Sequence, residues 1–484
     1  MDATLVSAKE WAESQWGTAK LGDIRLVRRA VQMGEAMAGH SDWSLPRQME
    51  DPAALKAAYN LLNDHRMTLE QLSSPHWGQT RQAAAQEEDV LFVQDTTVLD
   101  YSHHPTKKGL GPIGDGRGRG LLLHTALALV PGKIPRLLGM AHQQVVLRQP
   151  TPKPRPSDYV SAEGRVWAQA TEAVGQAPDG VRWVHVGDRG SDDFGFMHTA
   201  RQKHTDFLVR VKHNRLLVWE EDAGAETRKM KDYARSLSAV YEYQLDLPAL
   251  HNRKARTAQM RLAWAPITIP PPTQGPPELR HHPPISAWLI RTWEVNAPPD
   301  VDEPLEWILI TSVPVETVED ALERIQWYSH RWLTEEYHQC LKTGCAIEKR
   351  QLDHADDICR LLGLCGLIAV RLLQIRQMAR LDPDAPAVAH VDPLTVQILV
   401  ERLPRTPAQP LTLHDFWRGV AQLGGYQGRR GDGPPGWRTI WRGWQYLNDL
   451  VAGARLCQSV LLRHQFLDAL QPNENANHDL SNLT

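Results

Sequence analysis

Two short apolar runs in the sequence each end on an aspartate. Val90-Leu91-Phe92-Val93 leads through Gln94 to Asp95, and Trp183-Val184-His185-Val186 leads through Gly187 to Asp188. Runs of this kind read as buried strands. In sheets flanked by helices, ligand and catalytic groups lie beyond strand ends, where the backbone is rigid and solvent can enter. A pair of carboxylates there would supply oxygen ligands for a hard divalent cation. An aspartate at a strand end equally serves as a turn residue, and two such endings weaken that reading without deciding it. A third acidic group lies in YSHRWLTEEYHQCLK, where Tyr328, Arg331, Glu335 and Lys342 stand at offsets of 3, 7 and 14. On a helix these offsets put all four within roughly 60° of surface, whereas Glu336 points about 100° away from Glu335. From spacing alone, a solvated face with i,i+4 ion pairing accounts for the stripe better than a site does.

The elements that must position these groups are legible in outline. Residues 1–70 read as helical: Gly22–Arg29 opens one amphipathic segment, and Asp51-Pro52 starts another running through Ala57, Ala58, Tyr59 and Leu62. A helical stretch near 68–86 precedes the first apolar run. Strand-like segments Leu121–Val130 and Leu137–Leu147 follow, parted by the turn signal Pro131-Gly132. A helix around 161–175 leads to the second run, and 205–215 (TDFLVRVKHNR) reads as a strand with basic residues at its end. From about 216 to 305 the alternating stretches Tyr241–Leu247, Met260–Trp264 and Ala287–Trp293, with the proline-rich loop 269–284, read as a β-rich insertion. Trp307–Thr311 returns to a buried strand. A long helix is predicted from Val318 to Lys342 with Gly344 past its end, and a Leu-rich one over 355–380. Pro383, Pro386 and Pro393 mark a linker, and a helical remainder ends in a polar tail from Gln471 that is expected to be disordered.

Composition bounds the function less tightly. A chain of 484 residues with 42% hydrophobic and 23% charged residues suits a globular protein of several domains. No uninterrupted run of 18 apolar residues is present, so a membrane span is not expected. The N-terminus lacks a basic region followed by an apolar stretch, so a secretory leader is not expected either. The five cysteines form no CxxC pair and read as reduced intracellular thiols rather than a disulfide frame or zinc site. A net charge of −3 does not announce a nucleic-acid binder, but an average hides basic clusters.

Taken together, these motifs resemble the IS-four/Tn-five-type DDE transposases of bacterial insertion sequences. The family signature Y-x2-R-x3-E-x6-K is met in full by Tyr328, Arg331, Glu335 and Lys342. Family members also carry Asp-Thr-Thr after the first strand, here Asp95-Thr96-Thr97, and Asp-Arg after a later one, here Asp188-Arg189. The similarity runs in the same order from LGDIRLVRR through FLVRVKH, EWILITSVPV and AVRLLQIR to LGGYQG, nearly the whole chain. It implies an α/β fold: an RNase H-like mixed sheet flanked by helices, with a β-rich insertion and helical N- and C-terminal regions. The implied domains are a helical region over 1–69 that binds transposon-end DNA, a catalytic core over 70–380, and a helical dimerisation region over 381–484. The resemblance further implies Mg²⁺ held by Asp95, Asp188 and Glu335, with Mn²⁺ able to substitute. Its partners would be double-stranded DNA, as inverted-repeat ends and target, and a second copy of the chain in a synaptic complex that cuts in trans. Such a protein works in the bacterial cytoplasm and needs no membrane. The implied chemistry is a series of in-line displacements. Water nicks one strand, the freed 3′ hydroxyl attacks the opposite strand to form a hairpin, water reopens it, and the 3′ hydroxyl attacks target DNA.

On that basis other residues acquire roles. Arg331 and Lys342 would neutralise DNA phosphates, and Tyr328 would hydrogen-bond a phosphate or stack. Arg210 and Lys212 alternate on the FLVRVKH strand and resemble basic DNA-contacting positions, the alternative being a solvated strand face. Trp307, 21 residues before Tyr328, resembles the family's base-receiving tryptophan; with 17 tryptophans present, the alternative is a core indole. Arg25, Arg28 and Arg29 are expected to touch end DNA, as are Arg253, Lys254 and Arg256 in the insertion. Asp192, four residues after Asp188, reads as a loop or helix-start residue rather than a further ligand, and His124 and His142 as core histidines. Two rival functions remain at this point: an RNase H-like nuclease without strand transfer, and a DNA-binding regulator without catalysis.

Overall fold

Local capping chemistry sets the N-terminal helices. The computed structural model describes residues 8–49, 51–149, 161–217, 228–247, 255–274, 276–299, 301, 303–403, 410–429, 432–433 and 435–470. Helices α1 (Ala8–Trp16), α2 (Ile24–Gly39), α3 (Leu45–Gln48), α4 (Pro52–Leu62) and α5 (Leu69–Ala84) come first. Asp23 caps α2 through the Arg25 N–H, and Asp51 caps α4, whose first residue is Pro52. Thr68 and Gln71 form a reciprocal capping box on α5.

The strands follow: β1 (Asp89–Asp100), β2 (Gly111–Ile113), β3 (Gly118–Val130), β4 (Arg136–Val146), β5 (Arg182–Gly187) and β6 (Asp206–Arg210). A short ribbon, β7 (Leu216–Leu217) and β8 (Arg228–Lys229), precedes β9 (Tyr241–Leu247), β10 (Arg256–Ile269), β11 (Ile285–Val295) and β12 (Glu306–Thr311). Helices α6 (Ala162–Val174), α7 (Phe194–Gln202), α8 (Met230–Ser236) and α9 (Pro277–Arg280) lie between them. All strands except the ribbon share one sheet, in the order β2-β3-β1-β5-β6-β12-β11-β10-β9, with β4 on β3. Its centre is parallel, β1 with β5 and β5 with β6; its wings are antiparallel. The stretch β4-β3-β1-β5-β6 has the strand order of an RNase H-like core. Strands of the expected insertion do not stand apart, because β12 pairs with β6 and carries β11, β10 and β9 into the same sheet.

Two apolar clusters anchor the sheet. One joins Val166 and Trp167 of α6 and Phe196 and Met197 of α7 to Phe207, Val209, Leu289 and Ile310. The other joins Ala84, Val90, Phe92, Ala126, Val174 and Trp183. Each large side chain buried there contributes about 1.5–3 kcal/mol.

Two elements differ from expectation. Strand β1 does not stop at Asp95 but runs on to Asp100, because β3 pairs with it from Leu91↔Leu129 to Asp100↔Gly120. The predicted single helix to Lys342 is instead α10 (Val318–Ser329), a turn at His330-Arg331, α11 (Trp332–Gln339) and a π-helical turn over Cys340–Gly344. Helix α12 (Ala355–Leu381) follows. Its Ala355–Gln377 stretch is long and apolar enough to cross a membrane by composition, yet 83% of its most apolar window is buried inside the protein.

The chain divides into two compact units, the first ending at Gln377 and the second starting at Met378. The second contains α13 (Pro393–Arg402), α14 (Leu413–Leu423) and α15 (Trp437–Leu470). Helices α14 and α15 approach so closely that a Cβ added to Gly443 would lie 1.7 Å from the Val420 carbonyl oxygen. The expected tail from Gln471 lies outside the described residues.

Candidate active site

Parallel pairing brings the two aspartates abreast. Val93 of β1 is in register with Val186 of β5, and β5 ends one residue later at Gly187. Continuing that register by two residues on each side brings Asp95 level with Asp188, whose charge acts on the Asp95 carboxyl. Asp95 therefore sits mid-strand on its β3 side but beyond the end of its β5 partner. The Asp188 carboxylate accepts the Gly190 N–H at 2.6 Å, and the following residues curl into a single 3₁₀ turn. Asp95 Oδ1 accepts the Thr96 N–H at 2.8 Å.

Glu335 reaches the same place through α11. The Arg331 guanidinium donates to Asp95 Oδ2 at 3.0 Å and to Glu335 Oε1 at 2.9 Å, so one cation bridges two carboxylates. Thr334, a residue the sequence pattern did not single out, adds a weak contact to Asp95 Oδ2 at 3.4 Å. Burial raises the Asp95 carboxyl to a pKa of about 6; Arg331 opposes the rise, and the Asp188 and Glu335 charges add to it. Burial works against the Arg331 charge, but Asp95, Tyr328 and Glu335 outweigh it and hold that guanidinium above its ordinary pKa. The result is negative charge in excess of its one buried counter-ion.

Oxygen-only donors with surplus negative charge suit a hard divalent cation. In the arrangement described, however, no three His, Cys, Asp or Glu side chains among the described residues are close enough to share an ion. Arg331 stands between Asp95 and Glu335. The donor set fits a cation chemically, and a shared site requires the guanidinium to give way.

The surrounding residues take varied places. Tyr328 is 4% exposed, with its hydroxyl against Arg331, and burial raises its pKa. Trp307 is half-buried on β12 and packs edge-on against Tyr328, ring centroids 4.9 Å apart. Arg210 ends β6, half-buried, and donates to the Glu306 carbonyl at 3.2 Å. Lys212 lies beyond the strand in an exposed loop rather than on a continuing strand face. Lys342 falls inside the π-helical turn, which breaks the 100° phase, and its ammonium is 3.9 Å from Glu348. Trp332, next to Arg331, is 60% exposed, and a lone aromatic beside the charged stripe leaves no periodic signal in the sequence.

At the N-terminal helices, Arg25 is exposed and paired with its own capping residue Asp23 at 2.8 Å. Arg28 is exposed and Arg29 half-exposed on the same helix. In the insertion, Arg256 is not presented to DNA: it is ion-paired with the buried Glu294, while Arg253 and Lys254 lie outside the described residues. His124 is a core histidine as expected, held between Thr96 and the Gln94 amide, and burial pushes its pKa down to about 3. His142 is buried as well, its Nε2 3.2 Å from Gln144 Oε1.

Comparison with known families identifies both ends of the sequence. Residues 8–67 match a transposase DNA-binding domain, and residues 367–461 match the transposase Tn5 dimerisation domain. These two matched domains, flanking an RNase H-like sheet along the sequence, support a Tn5-type transposase.

Proposed function

We propose that this transposase cuts and joins DNA at a site formed by Asp95, Asp188 and Glu335, with Mg²⁺ as the natural ion and Mn²⁺ able to replace it. A phosphodiester resists hydrolysis because the incoming oxygen, the leaving oxygen and the phosphate are all rich in negative charge. Divalent ions supply Lewis acidity to the attacking and leaving oxygens of an in-line displacement. The chain's own groups do the rest. The three carboxylates would hold the ions. Arg331, now shared by two carboxylates, has in a DNA phosphate an alternative anionic partner suited to its planar fork. Tyr328 braces that guanidinium from its buried side. Arg210 and Lys212 extend the positive surface from β6, and Trp307 offers a half-exposed ring on which a displaced base can stack. That stacking would ease the sharp bend of a hairpin intermediate.

The observation that carries this reading is one guanidinium, Arg331, shared by Asp95 and Glu335, with the Asp188 charge acting on the same Asp95 carboxyl. It is tested with Asp188→Ala, the purified protein, end DNA and a target plasmid. Cleavage should be lost while end binding is retained; unchanged cleavage removes Asp188 from the site. With the unaltered protein, joined products are expected, and cleavage without joining would make it a nuclease. A homodimer in a synaptic complex and the bacterial cytoplasmic setting belong to the same reading.

A further inference from the structure

Asp192 is an acidic residue of this region that the chemistry above does not use, and its surroundings are unlike those of Asp95, Asp188 and Glu335. Its side chain is fully buried in the turn between β5 and α7. Oδ2 accepts two consecutive backbone N–H groups, from Lys212 at 2.6 Å and His213 at 2.8 Å. Oδ1 takes the Arg215 guanidinium, which also donates to the Asp192 carbonyl at 2.9 Å. The carboxylate is thus spent on donors and has nothing to offer a cation.

The segment it grips has just left the sheet. Val211 makes the last bond of this ladder, to the Ile308 carbonyl, and Lys212 and His213 lie outside any strand. Buried N–H groups need partners, and here a single side chain from the Asp188 turn provides them. The Lys212 carbonyl is tied down too, by the Lys231 ammonium at 2.6 Å. Both backbone groups of Lys212 are therefore fixed while its side chain remains exposed. A lysine tethered in this way, to the turn that follows Asp188, presents its cation from a fixed backbone.

We propose that Asp192 is a positioning residue that holds Lys212 where it meets a phosphate of the DNA strand entering the site at Asp188. This rests on the reading above that Lys212 contacts DNA. Asp192 acts through Lys212 and touches neither DNA nor ion.

A double-mutant cycle tests it, using full-length protein and a labelled duplex carrying the element's terminal inverted repeat, without divalent ions. Lys212→Ala should make the dependence of log affinity on log salt shallower by about one. Asp192→Asn should do the same, and the double variant should bind within about two-fold of Lys212→Ala alone, since a contact already lost cannot be lost again. Because Asp192→Asn opens a buried cluster and risks misfolding, Lys231→Met provides a second route from the exposed side. It should likewise add nothing once Lys212 is alanine. Losses that multiply in both cycles overturn the positioning role while leaving Lys212 as a contact. An unchanged salt slope in Lys212→Ala overturns the contact itself, and the positioning role with it.

Discussion

Replacing Asp95 with Asn should make the metal-free protein more stable while abolishing cleavage. Burial carries the Asp95 carboxyl from its ordinary 3.8 to about 6, against the opposing pull of Arg331. Its pKa is raised on folding, so between these values the folded chain keeps a proton that the unfolded chain has released. The stabilisation from that proton is complete below about pH 4 and is lost as pH rises through 6. Above pH 7 the side chain is ionised in both states, and the shift from 3.8 to about 6 corresponds to about 3 kcal/mol against folding. Asparagine has the same shape and no charge, so Asp95→Asn should recover up to about 3 kcal/mol at pH 7.5. About half of that gain should remain near pH 5 and little near pH 4. Urea unfolding followed by tryptophan fluorescence in EDTA, repeated across this range, measures the gap. Added Mn²⁺ should then stabilise the parent protein and not the variant, since binding to the folded form alone shifts its stability. A variant no more stable than the parent at pH 7.5, or a gap indifferent to pH, would refute the reasoning.

Three further outcomes follow from the geometry. Arg331→Met removes the cation now shared by Asp95 and Glu335, so the DNA-free protein should bind Mn²⁺ more tightly, as read by electron paramagnetic resonance; weaker binding would show that the guanidinium supports the ligands rather than competing for them. Trp307→Ala should leave nicking intact and cut hairpin yield on a denaturing gel by about five-fold or more, the loss expected of one stacked base; an unaltered yield assigns the ring to the Tyr328 contact alone. Gly443→Ala drives a methyl to 1.7 Å from the Val420 carbonyl oxygen, so α14 and α15 must part and the C-terminal unit should lose at least about 1–3 kcal/mol. Calorimetry of that unit's transition measures it, and an unshifted transition contradicts the close crossing.

The sequence made some of this site legible for identifiable reasons. Asp95 and Asp188 stand at the ends of apolar runs, and a buried parallel pair must put such ends together. Glu335 and Arg331 are one helical turn apart, and the structure joins them. What escaped depended on partners far away in the chain. Strand β1 outruns its apolar stretch because β3 supplies hydrogen bonds along its whole length. Lys342 lost its place on the stripe to a π-helical turn, which residue spacing does not announce. Arg256 reads as a surface cation until strand pairing brings Glu294 beside it. The Asp192 grip on Lys212 and His213 spans a helix and a strand and leaves no periodic trace.

Manganese offers the most direct test of the central claim. Crystals of the protein bound to end DNA and soaked in Mn²⁺ locate the ions by anomalous scattering. Density within about 2–2.5 Å of oxygens from Asp95, Asp188 and Glu335 together, with Arg331 withdrawn onto a phosphate, is the expected result. Manganese elsewhere, with Arg331 still clasping Asp95 and Glu335, would contradict it.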